Sequence, residues 1–328
     1  MVAAEEGRSR TMAAEPLLTV EHLSKYFPRG RDRLRAVHDV SFRLLPGQTL
    51  GIVGESDSGK STLARSIIRL YDPDEGRVIF DGTDFTALTG EALRQKRRDM
   101  QMIFQDPLAS LSPMMTVASA IQDPLVIHKV GTSKEQLRRV MELMDLVGLD
   151  KGAAAAFPFE FSGGQQQRIG IARALALHPK LVICDEPVSA LDVSIQAQIL
   201  KLLKDLQARL GVAYLFISHN LAVVEHVSNY IAVMYLGEVV EIAPAKALFA
   251  APAHPYTRAL MASVPRITRP GEAPQKIQPL QGEVPSAVKP PPGCPFHTRC
   301  PVAVERCRTL QPALQGIGPE HQVACHLV

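Results

Sequence analysis

The chain has 328 residues, 46% of them hydrophobic, with a formal net charge of +3 and no tryptophan. That content suffices for one large or two medium cores, and the charge is too small to draw the chain to nucleic acid. No apolar run reaches the roughly 18 residues that a bilayer span requires.

Residues 1–16, MVAAEEGRSRTMAAEP, lack the apolar centre of a secretory signal and read as a disordered lead-in. The short basic clusters Arg29–Arg35 and Arg94–Arg98 read as solvated surface. Over 17–265 strand and helix patterns alternate, which predicts an α/β fold with helices covering a mostly parallel sheet. TLGIVG (Thr49–Gly54), LVICDEP (Leu181–Pro187) and AYLFIS (Ala213–Ser218) are apolar enough to be buried parallel strands.

The first of these runs into GESDSGKST, Gly54–Thr62, which fits G-x-x-x-x-G-K-S/T after a strand. Such a loop turns its backbone N–H groups, here those of Gly54, Glu55, Ser56, Asp57, Ser58 and Gly59, toward phosphates at a helix N-terminus. Lys60 is expected to reach the β- and γ-phosphates of ATP, Ser61 to ligate Mg2+, and Thr62 to contact the α- or β-phosphate. Asp57 is the anomaly. A carboxylate about 4 Å from a phosphate charge costs up to roughly 4 kcal/mol at an effective dielectric near 20, so nucleotide binding is expected to be retained but weakened.

No strong strand pattern lies between Pro107 and Phe161, and a helical insert is expected over about 107–180; Ser133 is the expected cap of its helix SKEQLRRVMELMDLVGL. FSGGQQQRIGIARAL, Phe161–Leu175, places the turn Ser162, Gly163, Gly164, Gln165 at the start of a helix, a second phosphate-binding N-terminus. One site does not need two such cradles. The economical arrangement is a head-to-tail dimer in which this turn closes over nucleotide held by a partner. LVICDEP then delivers Asp185, suited to an outer contact with Mg2+ through water, and Glu186, placed to polarise an attacking water.

Residues 266–293 are Pro-rich and read as a linker, and 294–328 form a Cys-rich closing segment. Its cysteines, Cys294, Cys300, Cys307 and Cys325, are spaced C-x5-C-x6-C-x17-C, unlike the close pairs of zinc ribbons. Four thiolates can hold an iron–sulfur cluster; zinc and unmetallated thiols are the alternatives, with His297, His321 and His326 as substitute ligands. Cys184, inside a strand, reads as buried packing.

Taken in order, these motifs resemble the ATP-binding cassette family, whose signature is the Ser-Gly-Gly-Gln turn. The resemblance implies a P-loop nucleotide-binding domain with a RecA-like core, an N-terminal antiparallel β subdomain and a helical insert, followed by a small Cys-rich extension. It further implies that Gln105 in MQMIFQDP senses Mg2+ and water, and that Asp192 in SALD (Ser189–Asp192) crosses the dimer interface. His219 in FISHN would contact the γ-phosphate, and Phe27 in LSKYFP would stack on adenine, with Tyr26 as the alternate.

HPYTRALMASVP (His254–Pro265) and the tail are similar to the ATPases of bacterial oligopeptide and dipeptide importers, particularly the second of two paired ATPases. The resemblance implies a homologous second ATPase subunit, two polytopic membrane permease subunits and an external substrate-binding protein as partners. It implies a peripheral location on the cytoplasmic face of the inner membrane, and a structural 4Fe–4S cluster in the tail. Import of nickel or another small solute is an alternative, as is a regulatory subunit with a weakened site. A soluble cassette ATPase acting on ribosomes or DNA is disfavoured, because the chain has one cassette and no long coiled-coil insert.

Overall fold

A computed structural model of the chain describes residues 15–263 and 282–328. Nearly all of the expected lead-in and most of the expected linker lie outside the described residues. In chain order the strands are β1 (Leu18–Arg29), β2 (Asp32–Leu44), β3 (Thr49–Val53), β4 (Glu75–Phe80), β5 (Thr83–Asp84), β6 (Met100–Ile103), β7 (Leu181–Asp185), β8 (Ala213–Ser218), β9 (Tyr230–Tyr235), β10 (Glu238–Pro244), β11 (Gln315–Gly318) and β12 (His321–Val323). They fall into a four-stranded sheet ordered β2-β1-β4-β5 and an eight-stranded sheet ordered β11-β12-β10-β9-β3-β8-β7-β6.

The smaller sheet is antiparallel throughout. In the larger one β6, β7, β8, β3 and β9 run parallel, and β10, β12 and β11 add an antiparallel edge. The three expected central strands are buried along their whole length. Their alternate side chains feed two cores, as a period of two requires. Val53, Val182, Cys184, Tyr214 and Phe216 face the core shared with the helices. Leu50, Ile52, Leu181, Ile183, Leu215 and Ile217 face the core under the small sheet. Cys184 is thus packing, as expected, and burial pushes its thiol up.

Helices Val117–Ile127 and Ser133–Leu146 occupy the region between β6 and β7, ahead of helix Gly163–Ala174. The cap of Ser133–Leu146 is Thr132 rather than Ser133. The Thr132 hydroxyl accepts from the Glu135 N–H while the Glu135 carboxylate accepts from the Thr132 N–H at 2.7 Å. Ser133 also has a capping-box partner in its sequence, Gln136, but that side chain is engaged by the Val130 carbonyl and Gln122, whereas Glu135 is free to close the box on Thr132.

The closing segment is not a separate appendage. Glu241 and Ile242 of β10 pair with Val323 and Gln322 of β12, so the tail completes the main sheet. Cys294, Phe296 and Cys307 enter the helix-side core. Phe296 meets Tyr235 edge-on at 5.2 Å and Tyr256 at 5.3 Å.

Candidate nucleotide site

Four neighbouring parallel strands each deliver one part of the site at their C-terminal ends. Gln105 follows β6, Asp185 and Glu186 end and follow β7, His219 follows β8, and the loop beginning at Gly54 follows β3. In open α/β sheets that edge is where ligands bind. A cleft of about 900 Å³ opens there, lined on its floor by Ser56, Asp57, Gly59, Lys60, Ser61 and Thr62 and reached by Gln105, Glu186 and His219.

The loop takes its shape from contacts that exclude larger residues. A Cβ on Gly54 would stand 2.2 Å from the Met234 carbonyl oxygen, and Gly59 has φ +96° with its would-be Cβ 2.1 Å from the Ala36 carbonyl oxygen. Asp57 lies in the left-handed region, φ +62°, which short polar side chains tolerate better than most; its side chain is exposed. Lys60 is almost fully buried. Its Nζ donates to the Gly54 carbonyl at 2.9 Å, the Glu55 carbonyl at 2.7 Å and the Ser58 hydroxyl at 3.3 Å. Burial lowers its pKa, opposed by the carboxylates of Glu186, Asp185, Asp57 and Glu55.

Ser61 donates to Asp185 Oδ1 at 2.7 Å. The other oxygen, Asp185 Oδ2, is buried without a hydrogen-bond partner; the Arg65 guanidinium, at 3.8 Å, is too far to serve as one. Burial raises the Asp185 pKa, against the lowering effects of Ser61 and Arg65. An unsatisfied buried carboxylate oxygen beside a serine hydroxyl is an unfinished oxygen donor set, which fits Mg2+. Glu186 adopts φ +48°, fixed by its N–H donating to the Ile217 carbonyl at 3.0 Å. Its Oε2 meets His219 Nδ1 at 3.0 Å and accepts from Gln105 Nε2 at 3.4 Å.

Other expected residues lie elsewhere. Ser162 and Gln165 are exposed and bond each other, the Ser162 N–H donating to Gln165 Oε1 at 3.0 Å. With Gly164 they border a separate groove alongside Arg168 and Ile195. Gly163 and Asp192 are exposed. Phe27 and Tyr26 stand outside the cleft. Phe27 packs edge-on against Tyr71 at 5.3 Å, and the Tyr26 hydroxyl bonds His38 Nδ1 at 3.1 Å. The cleft wall on that side is made instead by Arg29, Leu34, Arg35 and Ala36, and its roof by residues 284–287. The sequence reading missed the roof, because nothing in a Pro-rich stretch announces a place over the phosphate loop.

The four tail cysteines do fold into one neighbourhood. Cys294, Cys307 and Cys325 are buried and Cys300 is half-buried, and the Cys294 N–H donates to the Cys307 carbonyl at 2.8 Å. Burial pushes Cys294 up to about 11, with the other three thiols adding to the rise. Among the described residues, however, no three His, Cys, Asp or Glu side chains are grouped so as to hold a metal ion. The expected 4Fe–4S cluster is therefore not supported, nor is zinc on the same thiols. These cysteines pack as small apolar groups. The substitute histidines are engaged elsewhere: His297 with the Cys294 carbonyl at 2.8 Å, His321 with Glu241 at 2.7 Å and His326 with the Leu310 carbonyl at 2.7 Å.

Comparison with known proteins gives the same outline. Residues 37–189 match the ABC transporter family model, and residues 240–307 match that of the oligopeptide/dipeptide transporter C-terminal region. The chain is 49% identical over 321 residues to the oligopeptide transport ATP-binding protein AppF of Bacillus subtilis (strain 168), covering 95% of this chain and 98% of AppF. It is 50% identical over 321 residues to the probable peptide ABC transporter ATP-binding protein y4tS of Sinorhizobium fredii, covering 96% and 90%. Among solved structures, the dimeric ATP-binding cassette MJ0796 in a post-hydrolysis state with ADP and phosphate superposes with a TM-score of 0.64 at 30% identity, over 70% of this chain and 98% of that one.

Proposed function

This chain belongs to the ABC transporter ATPases, and on that premise we propose that it hydrolyses ATP to drive import of oligopeptides or dipeptides through a membrane complex. One observation carries the mechanism: the phosphate loop, Glu186, His219 and Gln105 share one cleft, whereas the Ser162–Gln165 turn opens into another.

Residues 17–265 form the cassette, with its helical insert over 107–180, and the residues after the linker close it. The amides of Gly54–Gly59 and the ammonium of Lys60 hold the ATP phosphates. Ser61 and, through water, Asp185 would hold Mg2+ together with Gln105, and the bound ion supplies charge neutralisation at the phosphates. Glu186 accepts the hydrogen bond of the attacking water and His219 holds the γ-phosphate, each positioning the other through their 3.0 Å contact. The corresponding signature turn of a second, homologous ATPase subunit closes over this nucleotide. Ser162, Gly163, Gly164, Gln165 and Asp192 of this chain do the same for the partner's.

Hydrolysis is coupled through Gln105 and the insert to two polytopic permease subunits, fed by an external binding protein. No helix among the described residues is long and apolar enough to cross a membrane, which suits a peripheral subunit on the cytoplasmic face of the inner membrane. The peptide reading is preferred to nickel because peptide-transport names attach to the relatives matched over nearly the whole chain.

The test is purification of the intact complex and measurement of its ATPase with the binding protein present. The expected result is co-purification with two polytopic membrane proteins and stimulation by short peptides. Stimulation by nickel alone, or recovery with ribosomes or DNA, overturns the reading.

A further inference from the structure

The C-terminal segment reaches into the phosphate loop at one residue. Arg299 donates from Nη1 to Glu55 Oε2 at 2.7 Å and from Nη2 to Glu55 Oε1 at 3.0 Å, a two-pronged pair. The Arg299 side chain is 4% exposed and that of Glu55 27%. The guanidinium also lies 5.8 Å from the Tyr235 ring centroid.

From the other side the Glu55 N–H donates to the Tyr256 hydroxyl at 2.9 Å. Tyr235 and Tyr256 both pack on Phe296, three residues before Arg299. The stretch just before that segment roofs the cleft with residues 284–287, tied down where the Arg35 N–H donates to the Ala287 carbonyl at 3.0 Å. Glu55 follows the first glycine of the loop. Without a partner its carboxylate would join Asp57 as a second negative charge beside a bound polyanion.

We propose that Arg299 is a positioning residue of the nucleotide site. Its fork draws the Glu55 carboxylate toward the C-terminal segment, cancels its charge and fixes the start of the phosphate loop, so that nucleotide affinity depends on the docked tail. The proposal rests on the reading that Gly54–Thr62 hold ATP. It differs from a merely structural role in one respect: the damage done by losing Arg299 comes in part from the bare Glu55 carboxylate.

The experiment is equilibrium titration of the full chain with Mg-ATP for the wild type, Arg299→Lys, Arg299→Ala, Glu55→Gln and Arg299→Ala/Glu55→Gln, alongside thermal unfolding without nucleotide. Removing a charged fork from a partly buried partner is expected to weaken binding about tenfold in Arg299→Ala. Arg299→Lys, which keeps the charge without the fork, falls in between. Adding Glu55→Gln to Arg299→Ala recovers about threefold or more, and raised salt narrows the gap between Arg299→Ala and the wild type.

Affinity within twofold of wild type in Arg299→Ala overturns the proposal. So does a double variant that binds no better than Arg299→Ala, including the case in which both simply unfold earlier. Lys60→Ala separates the two readings. If it binds Mg-ATP as the wild type does, the assignment of Gly54–Thr62 is what has failed.

Discussion

Two glycine-bearing turns open helices in this chain, and they are finished to different degrees. The phosphate loop is locked on every side: backbone carbonyls of Met234 and Ala36 crowd its glycines, Lys60 folds into its mouth, and Tyr256 and Arg299 grip Glu55. The signature turn bonds chiefly to itself. Ser162, Gly163 and Gln165 face solvent, and a Cβ on Gly163 would meet only the tip of Leu191, at 3.2 Å. On the proposed reading, a loop that holds a polyanion within one chain is preorganised by that chain, whereas a turn that meets another chain's nucleotide is left at the surface.

The sharpest way to break this contrast is Ser162→Asp. Asp is as good an N-cap as Ser, so the helix and the unfolding midpoint are expected to stay as they are, and Mg-ATP affinity of the isolated chain to stay within twofold. In the proposed dimer the new carboxylate would face the partner's γ-phosphate, where about 4 kcal/mol of repulsion is available at 4 Å and an effective dielectric near 20, before screening. ATP-driven association with the partner ATPase is expected to weaken about tenfold or more. Equal loss of nucleotide affinity in the isolated chain would mean that the two turns belong to one site after all.

A second prediction loads the phosphate-loop side alone. His254 is buried, caps helix Pro255–Ala262 and accepts from the Tyr256 N–H at 3.0 Å, and Tyr256 in turn holds Glu55. Burial, aided by Arg258, lowers the His254 pKa from 6.5 to about 4. The unfolded chain therefore takes up this proton first. The contribution of His254 is complete above pH 6.5 and declines as pH falls toward 4, by up to about 1.4 kcal/mol per unit. Denaturant titrations from pH 7 to 4.5 should show that slope, and His254→Asn, which keeps a capping acceptor, should flatten it. An unchanged slope would remove His254 from the account.

The phosphate loop and the Asp185–Glu186 pair can be read from local spacing after apolar strands, whereas His219 is read only through the family resemblance. Their gathering follows from β6, β7, β8 and β3 lying side by side. The Arg299–Glu55 pair joins residues 244 positions apart, and neither has a periodicity or motif that names the other. Strands of four and three residues, such as β11 and β12, are too short for alternation to be read. Four cysteines crowded into one segment, together with the resemblance, suggest metal ligands, but crowding in sequence does not distinguish ligands from thiols that pack against a core. The resemblance puts Phe27 on adenine; its ring packs edge-on against Tyr71 and is not among the residues lining the cleft.

The smallest expected effect concerns Asp57, and it asks whether the locked loop is weakened by its own sequence. The residue sits at φ +62° with its side chain exposed, so backbone and charge make separate contributions that two substitutions can divide. Asn tolerates the left-handed region and removes the charge; Gly removes the charge and the conformational restriction together. The carboxylate also favours the charged form of Lys60, which returns part of the repulsion as a better-held cation. The net change should therefore be modest, about threefold tighter Mg-ATP binding in both Asp57→Asn and Asp57→Gly, with turnover of the complex within twofold. Tightening in Gly alone would assign the effect to the backbone. Equal affinity in all three proteins would show that an exposed carboxylate at this position leaves the site at full strength, and the importer would then run on this loop without penalty.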